Sequence, residues 1–188
     1  MSMYGGSEFL SHKDLFMNKI PFETVQASID LICGISEEGD LEKASEHFFD
    51  VQPDLGGFFM EFIEDMSEDA QDLGFMMALI LNKSFEDAYK ELRQMTEDEV
   101  VARFEAKEKT FEEYLGMNDE MINAIAEQGQ AEGQPEVINY MLEELFMSPD
   151  LEPALASDEQ IHLFIICKFL VDCLNELANE KSPETVRH

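Results

Sequence analysis

Apolar residues recur along the chain at spacings of three and four, and no segment alternates with period two for long enough to make a strand. The pattern predicts an all-α protein. Phe22, Val25, Ile29 and Ile32 form one stripe; Leu41, Ala44 and Phe48 open a second; Leu55, Phe58, Phe59, Phe62, Ile63 and Met66 make a wide third. Further stripes run through Phe85, Ala88, Leu92 and Met95, through Val100, Val101 and Phe104, through Met121, Ile122 and Ile125, and through Ile138, Met141, Leu142 and Leu145. Each is one face of a helix that needs an apolar partner. Residues 73–81 and 161–171 are apolar on nearly every side, which places them at the centre of a bundle.

Helix starts are marked by Thr96-Glu97-Asp98-Glu99 and Ser157-Asp158-Glu159-Gln160, which fit the capping box, and by Ser148-Pro149 and Gln134-Pro135, which set a cap before a first-turn proline. Pro21 and Pro53 stand just ahead of apolar periods. Gly39, Gly116, Gly129 and Gly133 read as turns, whereas Gly56-Gly57 opens a strongly periodic helix and suits close backbone packing. These signals divide the chain into about ten short helices. The expected architecture is a single-domain multi-helix bundle over residues 9–180, with a flexible leader at 1–8, a flexible tail at 181–188 and mostly antiparallel neighbours. A short α-solenoid is the alternative. The only repeated motif, Pro21-Phe22-Glu23, Ser84-Phe85-Glu86 and Thr110-Phe111-Glu112, is irregularly spaced and reads as three similar helix starts.

Charge changes this picture most. The 188 residues include 42 Asp or Glu and 12 Lys or Arg, a net charge of −30. With 45% apolar residues, 15 Phe and 12 Met among them, the chain folds despite that charge. Its sign argues against nucleic-acid backbones and anionic membrane surfaces as partners. Neither apolar segment approaches the roughly 20 residues of a membrane span. Residues 1–6 carry no basic or apolar leader pattern, and Cys33, Cys167 and Cys173 are odd in number, without a CxxC, on apolar stripes. Reduced core thiols in a cytoplasmic protein are the expectation.

The acids are unevenly placed. Between Lys43 and Lys83 there are nine and no Lys or Arg; between Lys109 and Lys168 there are thirteen and again none, while the intervening 83–109 segment is nearly balanced and suits pairs such as Glu86–Lys90. Solvated helix faces account for many acids, but solubility asks for a net charge of only about 2–8. Three explanations compete: a basic partner protein or peptide steered in by the field, mimicry of a nucleic acid against a DNA-binding enzyme, and adaptation to a salty cytoplasm. The first is preferred. It makes the chain a non-enzymatic acidic protein-binding module, of inhibitor, adaptor, immunity or chaperone type, that combines electrostatic steering with apolar docking. The candidate partner-binding residues are Glu61, Glu64, Asp65 and Glu68 in the first acidic stretch, and Met141, Glu143, Glu144, Leu145, Phe146 and Met147 as an acid-rimmed apolar groove in the second.

Candidate chemistry is sparse. Glu159 and His162 form an ExxH pair, which di-iron bundles use twice together with two further glutamates; only one is present, so no metal site or other cofactor is assigned. A metal-dependent helical-bundle enzyme is the third-ranked reading. Asp65-x-Ser67-x-Asp69 starts like a calcium loop but has Ala70 and Met76 where glycine and glutamate belong. No GxSxG, P-loop, GxGxxG or HExxH occurs. The apolar helix near the C-terminus is compatible with either core packing or a homo-oligomer face.

Overall fold

The computed structural model describes residues 19–147 and 155–180, and among them the chain forms eight α-helices and one π-helical turn. These are α1 (Phe22–Cys33), α2 (Glu38–Val51), α3 (Pro53–Ile63), α4 (Glu68–Tyr89), α5 (Glu97–Tyr114), α6 (Asp119–Glu132), α7 (Pro135–Leu142), the π-turn (Glu143–Met147) and α8 (Ser157–Glu180). The leader, the tail and the Ser148-Pro149 start lie outside the described residues.

Among the described residues the helices are longer than the periodicity predicts. The 73–81 run continues through Ser84-Phe85-Glu86 into one 22-residue α4, and Thr110-Phe111-Glu112 lies inside α5, so only Pro21-Phe22-Glu23 begins a helix. Residues 90–95, expected to be helical through Leu92 and Met95, are not, because Lys90 turns to φ 58° and the chain leaves the helix there. Gly39 and Gly129 sit within α2 and α6, not in turns. The Thr96–Glu99 capping box is present in full.

The two apolar segments do lie at the centre: α4 and α8 pack along each other, and both are buried over most of their length. They run parallel. At one end, here the head, Glu159 of α8 accepts from the Ser67 N–H at the start of α4. At the other, the base, Gln134 bonds both Tyr89 at the end of α4 and Asn175 near the end of α8. Helices α1, α3, α5 and α7 start at the base and run the opposite way: the Ile20 N–H meets Gln134, Asp54 accepts from the Glu97 N–H, and Arg103 and Lys107 of α5 face Glu176 and Asp172 of α8. Chain neighbours are thus antiparallel. No described helix is long and apolar enough to cross a membrane.

The arrangement repeats. Helix lengths of 12, 14, 11 and 22 residues in α1–α4 are answered by 18, 14, 8 plus the π-turn's 5, and 24 in the second half. As α3 packs on α5, so α7 packs on α1. The correspondence extends to single hydrogen bonds. Gln52 and Gln134 are buried, each precedes a proline, and each caps nothing of its own helix with its side chain. Gln52 instead accepts from the N–H of Met95, the residue before the N-cap of α5; Gln134 accepts from the N–H of Ile20, the residue before the N-cap of α1. Each half therefore holds the entry to the other. This is one bundle and not a solenoid, since the last helix packs beside the fourth.

Candidate functional site

Positive charge is consumed on one side of the molecule. Arg93 forks to Glu99 and Glu180, Arg103 reaches Glu176 at 2.5 Å, and Lys107 and Lys168 share Asp172, so the basic residues of α5 and α8 lock those helices together. Hydrogen bonds from Arg93 pull the Glu99 carboxyl down to about 2 and hold Glu180 below the usual carboxylate range. The Glu86–Lys90 pair does not form: Glu86 faces His47, and Lys83 pairs with Asp87. Lys83–Asp87 is thus the kind of i,i+4 pair the sequence suggested for this segment, whereas Arg93, Arg103 and Lys107 reach across to α8.

The head has no such compensation. Consecutive residues of α8 tie it together: Glu159 Oε1 accepts from the Ser67 N–H at 2.8 Å, and the Gln160 amide donates to the Leu145 carbonyl at 2.8 Å. The corner between α3 and α4, with Glu64, Asp65 and Glu68, and the π-turn, with Glu143 and Glu144, are thereby both held at the start of α8. Among the described residues no Lys or Arg pairs with Glu61, Glu64, Asp65, Glu68, Glu143 or Glu144. Part of this acidity has a local reason, for Glu68, Asp69, Asp158 and Glu159 occupy first turns, where the helix dipole favours carboxylates. The rest runs against the dipole. Glu64 caps the C-terminus of α3, Glu112 and Glu113 end α5, and no described helix has a basic residue in its last turn. Burial pushes the Glu144 carboxyl up.

The sequence-named groove divides. Glu61, Glu64, Asp65, Glu68 and Glu143 are exposed, as a partner-binding surface requires. Met141 and Leu145 are not available: both are fully buried on the face they share with Ile138 and Leu142, and the Leu145 carbonyl lies beneath the start of α8. Phe146 packs its ring against Phe164, with centroids 6.0 Å apart, and Met147 alone of the four apolar residues is exposed, at 53%. An apolar groove exists elsewhere, where Phe62, Phe104, Phe111, Leu115 and Ile165 surround a space of about 220 Å³ beside His162. Sequence reasoning missed it because Phe104 read as part of a core stripe and Phe111 as part of a helix start; the helical spacing from Phe104 through Phe111 to Leu115 was the available signal.

Glu159 and His162 have structural partners. Glu159 is the acceptor for Ser67, whose hydrogen bonds lower its pKa, and His162 Nδ1 lies 2.7 Å from the Asp158 carbonyl. Among the described residues no three His, Cys, Asp or Glu side chains converge as a metal site. Cys167 and Cys173 are buried thiols, the latter pushed up to about 12 by burial, but Cys33, expected in the core, is exposed at the end of α1. Comparison of the chain with protein-family models, with curated proteins and with solved structures finds no match in any of the three.

Proposed function

We propose that the protein is a non-enzymatic acidic binding module that captures a basic protein or peptide in the cytoplasm, with the head as its landing surface. The observation that carries this reading is the placement of Glu64, Glu112 and Glu113 at helix C-termini, without cations, while the chain's described arginines are spent between α5 and α8. A carboxylate at a helix C-terminus costs about 0.3–1 kcal/mol, so these positions oppose stability and favour a field directed outward. That field steers a cationic partner inward, and contact with exposed apolar side chains then slows its release.

The test is affinity capture on the immobilised protein at low salt, followed by association kinetics with the protein recovered. A basic partner is expected, with an on-rate that falls at least about tenfold as salt is raised and falls again when Glu61, Glu64, Asp65, Glu143 and Glu144 are neutralised together. An on-rate indifferent to both would overturn the reading. A recovered DNA-binding enzyme displaced by DNA would replace it with nucleic-acid mimicry.

A further inference from the structure

We infer that the furrow between α3 and α5 is the apolar seat of that module and receives one α-helix of the partner, apolar on one face and rich in Lys or Arg on its flanks. The inference rests on the proposed capture of a basic partner and adds where and in what form it docks. Along α5, Val101, Phe104, Glu108, Phe111 and Leu115 follow one another at alternating steps of three and four, the seam that a helix presents to a second helix. Its ends are exposed, Val101 by 40% and Leu115 by 52%. Fourteen residues at 1.5 Å each separate them by about 21 Å, enough for about four turns of an incoming helix.

The opposite wall belongs to α3. Asp54, Gly57, Phe58 and Glu61 face Glu97 and Val101 in the lower part of the furrow, and Phe62 faces Glu108 and Phe111 in the upper part. The floor is aromatic: Phe104 touches both Phe58 and Phe62, at centroid distances of 5.1 and 5.9 Å. In the upper part Ile165 and His162 of α8 close the far side; apart from His162 the ionisable side chains on the walls are carboxylates, and Arg103 and Lys107 of α5 turn away to α8. Charge complementarity therefore selects a cationic occupant, and the seam spacing selects a helical one.

Gly57 supplies an independent observation. A Cβ on Gly56 would stand 3.0 Å from the Phe49 ring, so that glycine is a packing requirement, whereas a Cβ on Gly57 would meet nothing within 4 Å. Nothing inside the protein explains a helix-weakening residue there; its bare backbone widens the furrow. The repeat of helix lengths points the same way. Helix α1, which matches α5 in the first half, has 12 residues where α5 has 18 and so carries no counterpart to Phe111 and Leu115. The two halves differ at the place where a docking surface would be built.

The test uses the full chain and a synthetic peptide of about 18 residues, long enough to fill the furrow. Leucines at three-and-four spacing, lysines elsewhere and one Trp make it visible against a protein that has no Trp; a scrambled peptide of equal composition is the control. The amphipathic peptide is expected to bind at least tenfold tighter than the scrambled one. Gly57→Phe is expected to abolish most of that preference, Leu115→Asp to reduce it, and Gly57→Ala to leave it intact, with circular dichroism showing all three folded. Equal binding of both peptides, or a preference that survives Gly57→Phe, overturns the furrow while leaving electrostatic capture in place. Binding of neither peptide overturns both.

Discussion

Replacing Gln134 by alanine should destabilise the bundle by about 3 kcal/mol, more than any other single amide in it except Gln52. Its Oε1 accepts from the Ile20 N–H at 2.7 Å, and its Nε2 donates to the Tyr89 hydroxyl at 2.8 Å and to Asn175 Oδ1 at 3.0 Å. Ile20 is 1% exposed, so its orphaned N–H cannot turn to water, a penalty of about 1–3 kcal/mol. Two further hydrogen bonds contribute about 0.5–1.5 kcal/mol each, discounted because Tyr89 and Asn175 have other partners. For a chain of this size the total corresponds to a Tm lower by about 6–12 °C. Urea denaturation followed at 222 nm reads it directly. Gln134→Leu separates the causes: it refills the volume but leaves the Ile20 N–H unmet, so most of the loss should persist. Losses below about 0.5 kcal/mol for both variants would refute the clamp. Gln52→Ala should behave alike, since Gln52 satisfies the Met95 N–H and the Arg93 carbonyl.

Other consequences are open to the same assays. Lys90→Gly should raise stability by about 1 kcal/mol, because φ 58° with ψ −132° is a conformation that only glycine adopts without strain; a loss on substitution would show that the lysine side chain matters more than its backbone. Burial raises the folded pKa of Glu144, so its charged form costs stability at neutral pH and that cost is relieved as pH falls through the folded value. Glu144→Gln should therefore stabilise the protein at pH 7 and make no difference below about pH 4; a gain independent of pH would count against this. Glu99, Glu159 and Glu180 have the opposite sign, their folded pKa values being lowered by hydrogen bonds, first from Arg93 for Glu99 and Glu180 and from Ser67 for Glu159. The stability they provide is present above their unfolded values and is lost as pH falls towards 2, so the urea midpoint should drop between about pH 4 and pH 2. Arg93→Met should flatten that drop.

What the sequence made legible was what depends on composition within one helix. The all-apolar runs at 73–81 and 161–171 had no polar face to offer water, which forced them to the centre, and the Thr96–Glu99 box marked a true start. Boundaries failed where tertiary contacts overrode local signals. Ser84-Phe85-Glu86 resembles a start, but Ser84 bonds back to the Ile80 carbonyl inside α4, and its hydroxyl needs no cap role. Gln160, read as the far half of a capping box, is drawn away to Leu145. The candidate groove set two signals against each other: Glu143 is on the surface, but Met141 and Leu145 lie on the Ile138–Leu142 stripe, and that helical spacing, which needs an apolar partner inside the bundle, prevails over a surface role. The repeat escaped notice because it is carried by two glutamines before prolines and by helix lengths, not by a repeated motif.

That repeat also explains where the charge lies. The first stretch without Lys or Arg, between Lys43 and Lys83, covers the later part of α2, all of α3 and most of α4; the second, between Lys109 and Lys168, covers the end of α5, α6, α7 and the first half of α8. They occupy matching parts of the two halves. They meet at the head, where Glu159 and Gln160 hold Ser67 and Leu145 to one turn of α8. On the proposed reading a cationic partner drawn by the summed field is directed to that end, and of the matching helices α1 and α5 leading away from the base, only α5 has the added residues that carry Phe111 and Leu115.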